Sequence, residues 1–394
     1  MLETKNTPLL QRIAEDLDNL RERSQFRSLE TVQGVNLSSN DYLGLATNPR
    51  LKEAAVRAVE RTRRIGATGS RLLSGNAEEW QDLEADFAKF TGTEAALYFG
   101  SGYAANVGLL SSILKPEDIV FSDAMNHASI IDGIRLSSAR RVIYPHADLH
   151  FLECSLREHQ GGTGAHVIVT ESVFSMEGDV APLADLFALA RKYAAEVVVD
   201  EAHSIGVLGP EGRGVVAENR LERQALAIIY PCGKALASAG AFVCGAANLK
   251  HYLVNHARTF IFSTAMPPYL AGQIRAALDL ARGADSERTH LSQIANSLRE
   301  LLSASGLNFR ASSTQIVPVY LGSNEAALEI AAKLQESDFA VKAVRPPTVP
   351  AGTARIRLSL TSRITANDIH RLASVIGEAC KFLPQKHADA TVHA

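Results

Sequence analysis

Between residues 95 and 245, short stretches that are apolar throughout alternate with longer stretches that show helical periodicity. The predicted strands are Ala95–Phe99, Ile119–Ser122, Arg141–Tyr144, His166–Thr170, Glu196–Asp200, Leu226–Tyr230 and Ala241–Cys244. Helix-like stretches such as Asn106–Leu114 and Pro182–Ala194 lie between them. Strands that are apolar on both faces and separated by helices favour a mostly parallel sheet with helices on both sides. The pattern therefore predicts an α/β fold with a seven-stranded sheet.

Periodicity and capping residues organise the rest of the chain. A polar amphipathic helix is predicted for Leu9–Phe26, a second begins at Asn48-Pro49, and a third covers Ala77–Phe90. After about Pro268 a long helix, Tyr269–Arg282, leads into a smaller region of helices and strands. We therefore predict an N-terminal helical segment at 1–45, a large domain at 46–270, a smaller α+β domain at 271–384 and a flexible tail at 385–394.

Charge and cysteine content narrow the classes of protein that fit. The 394 residues include 40 Lys and Arg against 43 Asp and Glu, a net charge of −3 that argues against nucleic-acid binding. The four cysteines stand far apart, and His146 and His150 are interpreted as surface residues, so no disulfide or metal site is predicted. The segment Met1–Leu10 has no apolar core, and no apolar run reaches the ~18 residues that span a bilayer. We expect a cytoplasmic protein without membrane partners.

Polar residues follow several of the predicted strands, at the positions where open parallel sheets bind ligands. Asp200 ends a buried strand, His203 follows three residues later, and Lys234 comes 34 residues after Asp200, beyond the next strand. A desolvated lysine loses its proton readily and forms Schiff bases with carbonyl groups. Pyridoxal 5′-phosphate (PLP) chemistry needs such a lysine and a carboxylate that keeps the pyridine nitrogen protonated. Asp123 and Glu171 also end predicted strands.

The sequence Gly100-Ser101-Gly102-Tyr103-Ala104-Ala105 follows a predicted strand and opens a helix. Backbone N–H groups at a helix N-terminus can bind a phosphate, either that of PLP or that of a dinucleotide. The GxGxxA pattern therefore leaves a nicotinamide oxidoreductase open as an alternative. The sequence DEAH at Asp200–His203 also occurs in helicases, but the phosphate-binding loop that helicases need is absent. His127 follows a strand-end loop and could stack on a flat cofactor ring.

Several motifs, in order along the chain, resemble the α-oxoamine synthases, a family of fold-type-I PLP enzymes. They are NDYLGL (Asn40–Leu45), GSGYAAN, NHAS, ESVFSMEGDVAPL (Glu171–Leu183), DEAHSIGVLGPEGRG (Asp200–Gly214), the GKA lysine and FSTAMPP (Phe262–Pro268). The block Arg345–Leu360 is similar to that of the family member in biotin biosynthesis. The resemblance implies a PLP-dependent acyltransferase that condenses L-alanine with a pimeloyl thioester, on acyl carrier protein or coenzyme A, with loss of carbon dioxide. It also implies a homodimer.

The resemblance assigns roles to individual residues. Lys234 would hold the cofactor aldehyde and move the α-proton of alanine, while Asp200 would pair with the pyridine nitrogen. His127 would stack on the ring. The other cofactor contacts implied are Gly102 and Tyr103 at the phosphate, His203 and Ser175 at the phenolic oxygen, and Thr264 at the phosphate of the neighbouring subunit. The substrate contacts implied are Asn40, Arg357 for a carboxylate, and Arg27 and Thr348 for the acyl chain, with Arg21 or Arg23 as replacements for Arg27.

One position departs from the family pattern. The family usually has a threonine three residues before the lysine, and its hydroxyl contacts the cofactor phosphate. Here that position is Pro231, which has neither a hydroxyl nor an N–H group. Either a phosphate contact is missing or another group, such as Ser238, replaces it. Pro231 therefore leaves open a cofactor-free partner module on the same fold. A sister enzyme such as glycine C-acetyltransferase, or a synthase that makes longer α-aminoketones, is a separate alternative within the family.

Overall fold

A computed structural model describes residues 7–381. Its strands are β1 (Val35–Asn36), β2 (Ala95–Phe99), β3 (Ile119–Asp123), β4 (Arg140–Tyr144), β5 (His166–Glu171), β6 (Glu196–Asp200), β7 (Ala227–Pro231), β8 (Ala241–Gly245), β9 (Ile316–Gly322), β10 (Phe339–Ala340), β11 (Ala343–Val344) and β12 (Ala354–Ser359). All seven strands predicted between residues 95 and 245 are confirmed, with ends that differ by no more than one residue.

The helices of the described chain connect and cover these strands. They are α1 (Pro8–Glu22), α2 (Pro49–Arg61), α3 (Glu78–Thr91), α4 (Gly102–Ile113), α5 (Ala128–Ser137), α6 (Leu149–Glu158), α7 (Leu183–Lys192), α8 (Val215–Glu218), α9 (Ala247–His256), α10 (Arg258–Ile261), α11 (Tyr269–Arg282), α12 (Asp285–Ala304), α13 (Asn324–Glu336) and α14 (Ala366–Cys380). The first helix ends at Glu22 rather than Phe26, because Ser24 has a φ of 54° that no α-helix continues.

The seven strands form one sheet in the order β2-β8-β7-β6-β5-β3-β4. Neighbours from β7 to β4 run parallel, whereas β8 is antiparallel to both β7 and β2. Side chains of β6 alternate between two apolar clusters, with Val197 and Val199 in one and Val198 in the other. The sheet is therefore buried on both faces, as its continuous apolar runs predict.

A three-stranded antiparallel sheet in the order β11-β12-β9 forms within residues 316–359. The short strand β1 pairs in parallel with β10, so the segment that follows α1 is joined to this C-terminal region. The proposed domain limits stay a prediction, and the tail at 385–394 lies outside the described residues. Among the described helices, none combines the length and apolar character needed to cross a bilayer.

Candidate active site

The carboxyl ends of the parallel strands open into a cavity of about 430 Å³. Nine of the predicted site residues line it: Asn40, Gly102, Tyr103, His127, Ser175, Asp200, His203, Lys234 and Arg357. They come from the end of β6, from the loops that follow β3, β5, β6 and β7, from the start of α4, and from the N- and C-terminal regions. The acid and the amine on which the PLP prediction depends, Asp200 and Lys234, therefore share one cavity.

The anionic side of the cavity is built at the end of β6. Asp200 is buried, and its carboxylate accepts from the backbone N–H of Ala202 at 2.9 Å and from Asn106 Nδ2 at 2.7 Å. Glu171, the last residue of the adjacent β5, lies beside it in register and is also buried. Burial, and then the charge of Asp200, raises the pKa of Glu171 well above its usual value. A neutral carboxyl can therefore stand next to the Asp200 carboxylate.

Lys234 follows β7 and faces these two acids. Burial lowers the pKa of its amine, while Asp200 and Glu171 oppose that shift. A lower pKa increases the fraction of free amine, the form that attacks an aldehyde. His203 is buried, and its pKa lies well below the usual value because of burial and then because of Lys234 and Arg357. The Nδ1 atom of His203 lies 2.6 Å from the Tyr42 hydroxyl.

Arg357, a residue of β12, also lines the cavity. Its Nε donates to the backbone oxygen of Ser175, and Nη1 and Nη2 each donate to Asn40 Oδ1 at 3.1 Å. A guanidinium has five N–H donors, so these contacts leave one N–H on each terminal nitrogen, and either of the two can donate to an oxygen of a ligand. The guanidinium can therefore bind a carboxylate without losing its contacts within the protein.

The start of α4 supplies the phosphate-binding geometry. Ser101 caps the helix, and its hydroxyl accepts from Ala104 N at 3.0 Å. The N–H groups of Gly102 and Tyr103, in the first turn, have no acceptor within the helix. A Cβ on Gly102 would lie 3.1 Å from Pro231 Cγ, so only glycine lets the helix end approach β7 without displacement. An anionic group fits at this helix end.

These residues fit PLP. The donor set contains a partly desolvated amine, a buried carboxylate and a helix N-terminus, and Glu171 Oε1 is buried without a partner among the described residues. Pro231 lines the cavity with no hydroxyl, whereas Ser238 Oγ donates to the backbone oxygen of Leu236. The GxGxxA segment follows β2, a strand at the sheet edge that pairs antiparallel with β8. A dinucleotide-binding unit needs a parallel βαβ arrangement there, so the nicotinamide interpretation is wrong.

Three predicted residues lie outside this cavity. Arg27 Nη2 donates to Thr348 Oγ1 at 2.9 Å, so the two acyl contacts implied by the resemblance are brought together, at an exposed position. Thr264 lines a separate cavity of about 230 Å³ that also includes Ser101. The roles of these three residues stay predictions.

The sequence reasoning missed two groups of polar residues. Asn106, in the motif GSGYAAN, and Ser129, in the motif NHAS, line the cavity, but the motifs alone give these two residues no role. His146 is not a surface residue, because its ring nitrogens lie 3.0 Å from Asp123 Oδ1 and 2.9 Å from Asp179 Oδ2. Asp123 ends β3 and Asp179 lies between β5 and α7, both distant from His146 along the chain, so local spacing could not reveal these contacts. Among the described residues, no group of His, Cys, Asp and Glu side chains could hold a metal ion.

The comparisons with known proteins agree with this geometry. The sequence profile of the family "Aminotransferase class I and II" matches residues 32–376. The chain is 45% identical to an 8-amino-7-oxononanoate synthase of Geobacter sulfurreducens over 94% of this chain and 98% of that protein. A solved structure of SPT, a serine palmitoyltransferase, with PLP as an internal aldimine has a TM-score of 0.88 and 29% identity, covering 95% of this chain and 99% of that one. The 8-amino-7-oxononanoate synthase of Francisella tularensis has a TM-score of 0.77 and 31% identity over 89% and 98% of the two chains.

Proposed function

This chain belongs to the aminotransferase class I and II family and, within it, groups with the 8-amino-7-oxononanoate synthases, and we propose that it catalyses their reaction. In that reaction L-alanine condenses with a pimeloyl thioester, carbon dioxide is lost, and 8-amino-7-oxononanoate is formed for biotin biosynthesis. The observation that carries the proposal is the meeting of Lys234, Asp200, His127 and Arg357 in one cavity.

The residues of the cavity would each have a different role in this reaction. PLP, when bound, supplies an electron sink for the negative charge that develops at the α-carbon of the amino acid. Lys234 would hold the cofactor aldehyde and carry the α-proton at Nζ, for which burial has already lowered its proton affinity. Asp200 would keep the pyridine nitrogen protonated. Arg357 would bind the carboxylate of alanine through a free N–H of a terminal nitrogen.

The acyl substrate needs a second binding region. Arg27 and Thr348 lie together outside the cavity, joined by a hydrogen bond of 2.9 Å, and they would contact the pimeloyl chain. The acyl group would be carried by acyl carrier protein or by coenzyme A. Turnover measured with each of the two thioesters distinguishes these carriers.

We also infer that two copies of the chain associate. Helix α1 has no buried residue, so its apolar positions, among them Leu9 and Ile13, are exposed. Leu73 and Phe262 are 85% and 71% exposed. Large apolar side chains in such numbers are typical of a surface that another chain covers. Light scattering should give the mass of a dimer, and a monomer that retains full turnover would contradict the inference.

The lysine assignment has a direct test. Borohydride reduction of the purified enzyme followed by peptide mapping should label Lys234. Lys234→Ala should abolish turnover, whereas Lys89→Ala, which changes an exposed lysine of α3, should leave it unchanged. Label on any other lysine, or turnover by Lys234→Ala at the wild-type rate, would refute the assignment.

The substrate assignment is tested by offering alanine, glycine and serine in parallel with pimeloyl and acetyl thioesters. We expect product from alanine and the pimeloyl donor. The structural likeness to serine palmitoyltransferase favours, as the second candidate, a sister enzyme with another amino acid and acyl chain. Product from glycine and the acetyl donor alone would favour glycine C-acetyltransferase activity instead.

A further inference from the structure

Two buried residues connect Asp200 to His127, and neither has a role in the proposed chemistry. Asn106 in α4 and Ser129 in α5 are 2% and 1% exposed. Asn106 Nδ2 donates to Asp200 Oδ2 at 2.7 Å and to Ser129 Oγ at 2.9 Å. Ser129 Oγ in turn lies 2.8 Å from His127 Nδ1. The two residues assigned to the cofactor ring are therefore the ends of one continuous hydrogen-bond chain.

The direction of this chain follows from the donors available. A carboxylate only accepts hydrogen bonds, so the amide of Asn106 must turn its NH₂ group towards Asp200. The second amide hydrogen points to Ser129 Oγ, and the serine O–H can then donate to His127 Nδ1. The backbone N–H of Ser129 also donates to that atom, at 3.2 Å, and cannot reverse. Nδ1 therefore carries no proton, and the proton of a neutral His127 is on Nε2.

The orientation of the Asn106 amide leaves its oxygen without a hydrogen bond. Its Oδ1 is buried and has no hydrogen-bond partner within residues 7–381. An unsatisfied buried oxygen is uncommon in folded proteins and calls for an explanation. Turning the amide over would place Oδ1 against the Asp200 carboxylate, where two acceptors repel. The amide is held in place because both of its N–H groups are used.

We propose that Asn106 and Ser129 are positioning residues that hold His127 neutral, with its proton on Nε2, and keep the Asp200 carboxylate in place. A protonated His127 needs a hydrogen on Nδ1, which would meet the backbone N–H of Ser129 and require the serine hydroxyl to turn away. The proposal rests on the proposed function only for the roles of Asp200 and His127. Its consequence is that Nε2–H is presented as a donor for an oxygen of the bound substrate.

Other charged groups also act on His127. Burial lowers the pKa of His127, Asp200 opposes that shift and Lys234 adds to it. His203 lies in the same cavity, and Glu171 ends the neighbouring strand. These groups stay in place in a Ser129→Ala variant. A change in the titration of His127 in that variant therefore reports the loss of the hydroxyl.

The test is a nuclear magnetic resonance titration of His127 in the PLP-loaded, full-length enzyme with ¹⁵N-labelled histidine. The signal is assigned with His127→Asn. We expect the wild type to show the Nε2–H tautomer, and Ser129→Ala and Asn106→Ala to raise the proton affinity of His127 three- to tenfold. Ser137→Ala, which removes another buried hydroxyl from α5, is the matched control and should change nothing.

A second readout separates positioning from simple support of the fold. Asn106→Ala should weaken PLP binding, measured by absorbance titration, because Asp200 loses a donor, whereas Ser129→Ala should leave PLP affinity within twofold of the wild type. An Nδ1–H tautomer in the wild type, or an unchanged His127 titration in Ser129→Ala, would overturn the proposal. The titration does not depend on which substrate is condensed, so its failure and a failure of the proposed function are distinguishable.

Discussion

His146 joins Asp123, the last residue of β3, to Asp179, which lies between β5 and α7, and we expect its charge to stabilise the fold. Nδ1 lies 3.0 Å from Asp123 Oδ1 and Nε2 lies 2.9 Å from Asp179 Oδ2. Burial alone would lower the pKa of this imidazole, but hydrogen bonds and charge from the two carboxylates outweigh it and raise the pKa to about 10. Only a protonated imidazole can donate from both ring nitrogens at once, so the two carboxylates favour the charged form of His146.

The size of the effect follows from linkage. The rise in the pKa of His146 from 6.5 to about 10 corresponds to at most ~5 kcal/mol of folding free energy. The side chain is 21% exposed and solvent screens its ion pairs, so we expect about 2–3 kcal/mol. Because the folded pKa lies above the unfolded one, this stability is fully present below about pH 6.5 and is lost as the pH rises towards 10.

The perturbation is His146→Gln, which keeps the size of the side chain and removes its charge. A 394-residue chain unfolds with an entropy of roughly 0.8 kcal/mol per kelvin, so the variant should melt about 3 °C lower at about pH 6. The difference should shrink steadily towards about pH 10. Melting is followed by circular dichroism at fixed protein and PLP concentrations, with His150→Gln, an exposed histidine of α6, as the control. A difference that is the same at both ends of this pH range would refute the reasoning.

Three further predictions concern the core and the site. Trp80→Ala removes a fully buried ring that stacks on Tyr98 at 4.2 Å, and it should destabilise the fold by about 3–5 kcal/mol, measured by circular dichroism. Arg357→Lys replaces the planar fork that contacts Ser175 and Asn40 with a single nitrogen, which loses part of these contacts and so positions its charge poorly; kcat/KM for alanine should fall about 10- to 100-fold, mainly through KM, in steady-state kinetics. Pro231→Thr adds a hydroxyl to the cavity wall, and it should tighten PLP binding about tenfold in an absorbance titration; unchanged affinity would mean that no contact was missing.

The part of the fold that the sequence predicts best is the large sheet. Its strands are buried on both faces, so each appears as a short, wholly apolar run with helical segments on either side. The order of these runs is enough to place the polar residues at the ends of β5 and β6 and after β7 at one sheet edge. Parallel strands bring their carboxyl ends together, which is why Asp200 and Lys234 meet.

The contacts that the sequence did not predict join segments far apart in the chain. His146 meets Asp179 across 33 residues, and Arg357 meets Asn40 across 317. Neither contact has a local pattern, because register, capping and periodicity act over a few residues only. The sequence pattern likewise does not delimit the 20-residue helix α12, because its exposed positions are rich in charged and polar residues, which resemble those of a connecting segment.

The distant contacts explain why the cavity needs both ends of the chain. Asn40 Oδ1 accepts from both terminal nitrogens of Arg357, from Ser359 Oγ and from the Tyr42 hydroxyl, which in turn contacts His203. One amide oxygen thus ties the N-terminal segment to β12 and, through Tyr42, to the loop after β6. The large sheet alone presents the groups that fit the cofactor, whereas the guanidinium that fits a substrate carboxylate is held in place only when this junction forms. Cofactor binding and substrate binding therefore depend on separable parts of one fold.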